Sequence, residues 1–221
     1  MVRPEITDMP LGRRVIDMSE TVKMRLKFCL LGDGAVGKTC LAGRFVDNTF
    51  NEKYLPTIGT NISTKKIIIE RPDLEKTFEI EAVIWDILGQ LGYRKLLHPA
   101  YLRGAIGAIL VCDLTRKETL ENLDSWIDSL YTEWRWVPSI IVANKSDLTD
   151  EVELHYDDIK RTAMYFDFPF FISSARTGEN VNDIFRALAE EVIYNMVING
   201  YGFKPLDDYL DPRVEKSDKA K

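Results

Sequence analysis

Two spacings of apolar residues alternate along this chain. Apolar and β-branched runs that favour strands occupy 24–31, 60–70, 76–87, 106–112, 139–143 and 170–172. Apolar positions three and four residues apart, which favour helices, occupy 38–47, 118–131, 157–165 and 181–197. The turn Arg71-Pro72-Asp73 predicts a hairpin between the second and third strands. The remaining strand–helix alternation predicts a mostly parallel, three-layer α/β sheet.

A glycine-rich segment follows the first predicted strand. Residues 32–39 match G-x-x-x-x-G-K-[ST] and lead into the first predicted helix, which is the context that this motif requires. Its backbone N–H groups and the helix N-terminus favour a bound phosphate, and Lys38 adds a full positive charge. The Thr39 hydroxyl is placed to bind Mg²⁺. The alternative, a glycine-rich turn without chemistry, does not explain this position between a strand and a helix.

Residues 85–90, Trp-Asp-Ile-Leu-Gly-Gln, lie at the carboxyl end of the third predicted strand. Ligands of parallel sheets bind at that edge. There, Asp86 can support a Mg²⁺ ion and the Gly89 N–H can approach a γ-phosphate, while Gln90 can orient an attacking water. This short motif is weak evidence for a γ-phosphate site by itself. It becomes informative because it follows the phosphate-binding motif at 32–39.

A third motif, Asn144-Lys145-Ser146-Asp147, follows the fifth predicted strand. The Asp147 carboxylate can accept hydrogen bonds from N1–H and the amino group of guanine, whereas adenine would leave it unpaired. A site of this kind can reject the wrong ligand by about 10⁴ to 10⁵. The alternative is a surface turn, because Asn, Ser and Asp all favour turns. Ser173-Ser174-Ala175 after the sixth strand completes the set.

In this order and spacing, the motifs resemble those of Ras-superfamily small GTPases. Tyr101-Leu102-Arg103-Gly104-Ala105 together with Trp85-Asp86 most resembles the Rab branch. The resemblance covers 24 to about 197. It implies a P-loop NTPase-type fold, with a six-stranded sheet, five strands parallel, and helices on both faces. It also implies a Mg²⁺-dependent switch that binds GTP or GDP, slowly hydrolyses GTP to GDP and phosphate, and acts with a GTPase-activating protein, an exchange factor and effectors.

The resemblance implies a role for individual residues. Phe50 would pack beside the guanine, Asn144 and Lys145 would support the base and ribose, and the Ala175 N–H would reach the guanine oxygen. The Mg²⁺ ligands would be Thr39, Thr57 and Asp86. The catalytic residues would be Gly34, Lys38 and Gln90. The nucleotide-binding residues would be Asp33, Gly34, Ala35, Val36, Gly37, Lys38, Thr39, Cys40, Phe50, Tyr54, Thr57, Gly89, Asn144, Lys145, Asp147, Ser174, Ala175 and Arg176.

The chain departs from the family pattern beside the predicted γ-phosphate site. Ile87 and Leu88 replace the usual threonine and alanine, and Leu91 replaces a glutamate. One hypothesis is that the three enlarge an apolar surface for a partner; the alternative is that Ile87 and Leu88 pack inward. A second hypothesis is that Ile87 and Leu88 disable Gln90, which would leave a nucleotide-binding module with little or no hydrolysis.

Other features bear on this enzyme assignment. A P-loop ATPase or nucleotide kinase is disfavoured by Asp147 and by the lack of extra length for a lid. The resemblance also implies two switch loops that are ordered by contacts with the γ-phosphate. Arg94 and Arg103 lie in or after the second of these loops and are expected to be surface or partner contacts, so no arginine is placed to assist hydrolysis in cis.

Composition and charge limit the other classes of function. The 221 residues, 45% of them hydrophobic, suit one domain at 24–202, with flexible tails predicted at 1–23 and 203–221. The net charge of −6 argues against a nucleic-acid-coating surface. Because each tail has equal numbers of acidic and basic residues, neither supplies a polybasic membrane patch.

Several absences in the sequence indicate a cytoplasmic protein. The three cysteines, Cys29, Cys40 and Cys112, lie in apolar or helix-like segments, as expected for reduced thiols. No apolar run suits a membrane span or a signal peptide. There is no C-terminal prenylation motif, and Val2 excludes N-myristoylation. We therefore expect no direct lipid anchor, and any attachment to membranes would come through a partner.

Overall fold

The computed structural model of the protein describes residues 20–51, 57, 59–89, 101–133 and 137–199. The strands within these residues are β1 (Glu20–Leu31), β2 (Thr60–Arg71), β3 (Lys76–Ile87), β4 (Gly107–Asp113), β5 (Ser139–Asn144) and β6 (Phe170–Ile172). The helices are α1 (Lys38–Asp47), α2 (Glu118–Glu121), α3 (Leu123–Glu133), α4 (Tyr156–Phe166) and α5 (Val181–Ile198). Short 3₁₀ turns occur at Pro72–Leu74 and Thr149–Glu151.

The six strands form one sheet in the order β2-β3-β1-β4-β5-β6. β2 and β3 pair as an antiparallel hairpin, and every other neighbouring pair is parallel. β1 ends near the centre of the sheet in Phe28, Cys29, Leu30 and Leu31, all of them fully buried, because a parallel sheet covered on both faces needs apolar residues on both sides of its strands. The predicted fold class and hairpin are confirmed.

Helices cover both faces of the sheet and divide the core into two layers. On one face α1 and α5 pack together, and the rings of Phe45 and Phe185 stack with centroids 3.9 Å apart. On the other face α3 and α4 bury Trp126 and Ile159 against the sheet. The phosphate motif lies between β1 and α1, so both layers meet beside it.

Two predicted boundaries were wrong. β1 begins at Glu20 rather than at residue 24, because its first residues pair with β3 in continuous register although they are mostly polar. The helix predicted at 118–131 is two helices, α2 and α3, separated at Asn122. The Ser125 hydroxyl donates to the Asn122 carbonyl at 2.9 Å, and such local side-chain bonds compete with helix backbone bonds. All other predicted bounds agree within two residues.

Some predictions fall on residues that the structure does not describe. Tyr54, Gln90, Leu91 and Arg94 lie outside the described residues, as do 1–19 and 200–221. The division into a domain at 24–202 and two flexible tails therefore stays a prediction, apart from 20–23, which belong to β1. None of the described helices is long and apolar enough to cross a membrane.

Candidate nucleotide-binding site

A cavity of about 710 Å³ lies at the carboxyl ends of the parallel strands. Ligand pockets usually measure about 300 to 1,000 Å³, so this volume suits a nucleotide. Most of the predicted nucleotide-binding residues that the structure describes line it: Gly34, Ala35, Gly37, Lys38, Thr39, Cys40, Phe50, Thr57, Gly89, Asn144, Lys145, Asp147, Ala175 and Arg176. Asp33, Val36 and Ser174 are not among its lining residues, nor is the predicted Mg²⁺ ligand Asp86.

The glycine-rich segment at 32–39, here called the phosphate loop, surrounds the Lys38 side chain. Its Nζ atom donates to the carbonyl oxygens of Gly32 and Asp33, both at 2.7 Å. Gly32 and Gly37 have φ angles of 138° and 100°, which side-chain-bearing residues rarely adopt. A Cβ atom on Gly89 would lie 2.5 Å from the backbone carbonyl oxygen of Asp33 and 2.4 Å from Lys38 Nζ. Only a residue without a side chain therefore fits where residue 89 approaches the loop.

Asp33 supports the phosphate loop from the side away from the cavity. Its carboxylate accepts from Asn122 Nδ2 at 2.6 Å and from Trp126 Nε1 at 2.9 Å. These partners lie between α2 and α3 and on α3 itself, so the carboxylate ties the loop to that layer. A nucleotide contact by Asp33 would have to come from its backbone.

The three predicted Mg²⁺ ligands come together at one edge of the cavity. The Thr39 hydroxyl donates to Asp86 Oδ2 at 2.5 Å and lies 3.0 Å from the Thr57 hydroxyl. Asp86 Oδ1 is buried and has no hydrogen-bond partner among the described residues. Burial raises the pKa of Asp86, against the opposing effects of the Thr39 hydrogen bond and the Lys38 charge. Hydroxyl and carboxylate oxygens with an unpaired buried acceptor fit a hard cation such as Mg²⁺.

Asn144 joins the phosphate loop to the loop after β6. Its Nδ2 atom donates to the Val36 carbonyl at 2.9 Å. Its Oδ1 atom accepts from the Ser173 hydroxyl at 3.2 Å and from the Ala175 N–H at 3.1 Å. The side chain is buried, so these bonds lie where water does not compete with them. These bonds join the two loops, while the support of the base that was predicted for Asn144 stays a prediction.

The predicted base-selecting carboxylate is oriented by a neighbouring hydroxyl. The Ser174 Oγ atom donates to Asp147 Oδ1 at 2.6 Å, and Arg176 Nη1 lies 3.9 Å from Asp147 Oδ2. Asp147 itself lines the cavity. Ser174 therefore orients a residue of the cavity lining without being a lining residue itself.

A buried acid at the end of β4 is a residue that the sequence prediction missed. Asp113 Oδ2 lies 2.6 Å from Lys145 Nζ and accepts from Arg116 Nε at 2.9 Å. Burial tends to raise the pKa of Asp113, but the hydrogen bonds from Lys145 and Thr115 outweigh it, so the pKa is lowered. Arg116 Nη2 also donates to the Gly34 carbonyl at 2.9 Å. The strand-end rule that identified Asp86 also applies to Asp113.

The residues that depart from the family pattern have different environments. Ile87 is 2% exposed and belongs to the core, which confirms for this residue the alternative of inward packing. Leu88 is half-buried and lines the cavity near Gly89. Arg103 is exposed, as expected of a surface residue. Because Leu91 lies outside the described residues, its part in a partner surface stays a prediction.

Comparison with known proteins agrees with this geometry. The model of the Ras family matches residues 27–194. The chain is 37% identical to the Ras-related protein Rab-22A of Mus musculus over 185 residues, covering 81% of this chain and 91% of that protein. It is 32% identical to Rab-13 of Rattus norvegicus over 177 residues, covering 80% and 84%. It is 31% identical to Rab-27B of the same species, covering 77% and 81%. The chain therefore belongs to the Ras family and is a Rab-like small GTPase, a GTP-dependent molecular switch.

Proposed function

We propose that the cavity holds GDP or GTP with the phosphates against residues 34–39 and the guanine against Asp147. The observation that supports this assignment is that Lys38 and Asp147 line the same cavity. Asn144 is bonded to Val36 at the phosphate end of this cavity and to Ala175 at its base end. The Lys38 ammonium, now held by carbonyl oxygens, is the cation available to the phosphates. Ser174 presents the Asp147 carboxylate to a base with two neighbouring donors.

Competition between nucleotides tests the guanine assignment. Fluorescent GDP bound to the protein is displaced with GTP, ATP and inosine diphosphate, which lacks the 2-amino group. We expect GTP to displace it at concentrations at least about 10³-fold lower than ATP, since the carboxylate is unpaired against adenine. Equal or tighter binding of ATP would falsify the assignment of guanine to Asp147.

We propose that Thr39, Thr57 and Asp86 hold the Mg²⁺ ion that Ras-family GTPases generally use. The support is the unpaired Asp86 Oδ1 atom and the closeness of the three side chains. When bound, such an ion neutralises charge that develops on the β- and γ-phosphates. Thr39 ends the phosphate motif at 32–39, and the family resemblance assigns Thr57, within 54–59, to the first switch loop. A change in the nucleotide would therefore change the contacts of that loop through Thr57.

We propose that Gln90 orients the water that attacks the γ-phosphate, while Gly34 leaves room for it and Lys38 stabilises charge on the phosphates. Unaided hydrolysis should be slow. An arginine supplied by an activating protein is worth about 10³ to 10⁵ in rate, or roughly 4 to 7 kcal/mol. Slow hydrolysis makes the bound nucleotide a timer for partner binding.

Leu88 favours a second candidate, a switch that holds nucleotide and barely hydrolyses it. Its side chain lines the cavity near Gly89, beside the place where Gln90 would act. Single-turnover hydrolysis of GTP by the wild type, Gln90→Leu and Leu88→Ala separates the two candidates. We expect Gln90→Leu to be slower than the wild type. Equal rates for the two, with a faster Leu88→Ala variant, would favour the second candidate.

We propose that exchange factors, activating proteins and effectors act on the switch segments, and that the protein is cytoplasmic and is recruited to membranes through a partner. Nucleotide-dependent binding is the measurable property. Pull-downs with the GDP form and with a slowly hydrolysed GTP analogue should recover different proteins. Identical sets would contradict a switch function, while binding of the purified GTP form to protein-free anionic vesicles would contradict recruitment through a partner.

A further inference from the structure

Arg44 on α1 is not among the lining residues of the cavity, yet its guanidinium contacts segments on both sides of the base end. Nε donates to the Ala175 carbonyl at 2.9 Å and Nη2 to the Arg176 carbonyl at 2.5 Å. Nη1 donates to the Asn48 carbonyl at 3.0 Å and to Asn48 Oδ1 at 3.1 Å. One side chain therefore connects the turn after α1 with the loop after β6.

Each of these segments carries a cavity residue that was predicted to contact the guanine. Asn48 ends α1 with a left-handed φ of 55°, and the chain then continues to Phe50. Ala175 belongs to the other segment, and both Phe50 and Ala175 line the cavity. Because a guanidinium is planar and its donors have fixed directions, it sets the spacing of the carbonyls that it binds. Arg44 therefore sets the spacing between the two sides of the base end.

Ala175 is held from two directions at once. Its N–H donates to Asn144 Oδ1 at 3.1 Å and its carbonyl accepts from Arg44 Nε at 2.9 Å. This N–H is also the donor that was predicted to reach the guanine oxygen, so a bound base would share it with Asn144 or replace Asn144 as its partner. Its direction depends on the orientation of the short loop after β6. A change at Arg44 should therefore move this donor before it disturbs the helices.

The packing of α1 does not depend on the Arg44 guanidinium. Phe45 stacks on Phe185 at 3.9 Å, and Leu41 and Ala42 are buried in the same layer. These apolar contacts hold α1 against α5 and the sheet. Loss of the Arg44 contacts should therefore act locally on the two loops.

We propose that Arg44 is a positioning residue that contributes to guanine specificity by holding the Ala175 segment through its carbonyl, so that the Ala175 N–H, bonded to Asn144 Oδ1 in the structure, can donate to the oxygen at position 6 of a bound base. This inference rests on the proposed guanine site. The Ala175 N–H can donate to an oxygen at position 6 but not to an amino group there. The Asp147 carboxylate, in contrast, can accept from an amino group at position 2. Arg44 thus acts on one edge of the base and Asp147 on another.

Two base analogues separate these roles. Inosine diphosphate keeps the oxygen and lacks the 2-amino group, so its disadvantage against GDP depends on Asp147. The diphosphate of 2,6-diaminopurine riboside keeps the 2-amino group but has an amino group in place of the oxygen and no proton on N1. Its disadvantage against GDP therefore depends on both Asp147 and Ala175, and only the change in this ratio between the wild type and an Arg44 variant reports on Ala175. Competition against fluorescent GDP gives both affinity ratios for the wild type, Arg44→Gln, Arg44→Lys and the control Arg186→Gln. Arg186 is a similar arginine on α5 whose Nε bonds to Glu190 at 3.0 Å, so its loss should leave both ratios unchanged.

For Arg44→Gln we expect GDP affinity to fall about tenfold, equivalent to about 1.4 kcal/mol. The preference for GDP over the diaminopurine analogue should fall at least about threefold, since the weakened donor rejects the amino group less strongly. The preference over inosine diphosphate should remain as in the wild type. The values for Arg44→Lys should lie between those of the wild type and Arg44→Gln. An ammonium keeps the positive charge but lacks the planar arrangement of donors of a guanidinium.

A diaminopurine ratio that falls by less than about threefold overturns the inference, because a general loss of structure lowers both affinities together. If Arg44→Gln does not fold, Arg44→Lys decides, and a diaminopurine ratio equal to that of the wild type overturns the inference. Failure of the proposed function has a different signature: a wild type with no preference for GDP over inosine diphosphate. A wild type that has this preference, with unchanged ratios in the Arg44 variants, overturns only the role of Arg44.

Discussion

The two ends of the cavity are built from different parts of the chain. At the phosphate end the shape comes from backbone: Gly32 and Gly37 have positive φ angles, and Lys38 is enclosed by carbonyl oxygens. At the base end the shape comes from side chains, chiefly Asn144 and Asp147. Phosphate groups are alike in every nucleotide and need only N–H donors and positive charge. A base is identified by its edge, which requires side chains of defined chemistry, so affinity and specificity are separable here.

The largest effect is expected at the base end. Asp147→Ala removes the acceptor for guanine, and the preference for GTP over ATP should fall by about 10³ or more. Competition binding measures this preference, and Asp150→Ala, an exposed acid nearby, is the control. If Asp147→Ala retains the wild-type preference, specificity does not come from this side chain and the comparison between the two ends fails.

The next effect is expected where the two ends meet. A Cβ atom on Gly37 would lie 2.2 Å from Asn144 Nδ2, at a φ of 100°. Gly37→Ala should therefore break the Asn144 contact with Val36 and destabilise the fold by about 3 kcal/mol, weakening binding of all nucleotides alike. Thermal unfolding and GDP affinity measure both effects.

Gly43→Ala is the control for this substitution, since its Cβ atom would lie 3.6 Å from Thr49 Oγ1 in a helix that favours alanine. Equal stability of the Gly37 and Gly43 variants would show that the close contact at Gly37 relaxes without cost.

A smaller effect is expected at the proposed Mg²⁺ site. Asp86→Asn keeps the size of the side chain and removes its charge, so the Mg²⁺ concentration that half-maximally slows GDP release should rise about tenfold. Stopped-flow release of fluorescent GDP across a Mg²⁺ titration measures this shift, with Asp150→Asn as the control. An unchanged midpoint would exclude Asp86 from the site.

The smallest effect is expected for Arg116→Ala, which removes the bond to the Gly34 carbonyl and one partner of Asp113. Release of GDP should be about threefold faster, since Lys145 and Thr115 still satisfy Asp113. The preference for GDP over both base analogues should stay as in the wild type. Arg161→Ala, whose side chain is 77% exposed, is the control. A changed base preference in Arg116→Ala would mean that the two ends are less separable than proposed.

The sequence predicts the residues of the cavity motifs better than the side-chain contacts that support them. Each motif is visible along the chain between a strand and the segment that follows, so Lys38, Asp86 and Asp147 can be identified from their positions at or after strand ends. The bonds of Arg44 to Ala175 and of Arg116 to Gly34 join residues 131 and 82 positions apart, and their acceptors are backbone carbonyls that any residue would supply. Nothing in the local pattern marks such contacts.

Two further features needed the three-dimensional structure. The start of β1 at Glu20 depends on pairing with β3, which overrides the polar character of its first residues. Ile87 and Leu88 are adjacent and both apolar, yet one lies in the core and the other lines the cavity, because successive residues at a strand end face opposite ways.

If the cavity holds a nucleotide as proposed, the buried Asn144 side chain should couple its release at the phosphate end to its release at the base end. Its amide bonds to Val36 on one side and to Ser173 and Ala175 on the other, so displacement of either loop strains the contacts of its opposite. A regulator that displaces the loop at one end of the cavity should therefore also weaken the contacts with the nucleotide at the other end. By thermodynamic reciprocity, a ligand that engages both ends opposes that regulator by the same free energy. Nucleotide and regulator then compete without sharing a contact surface.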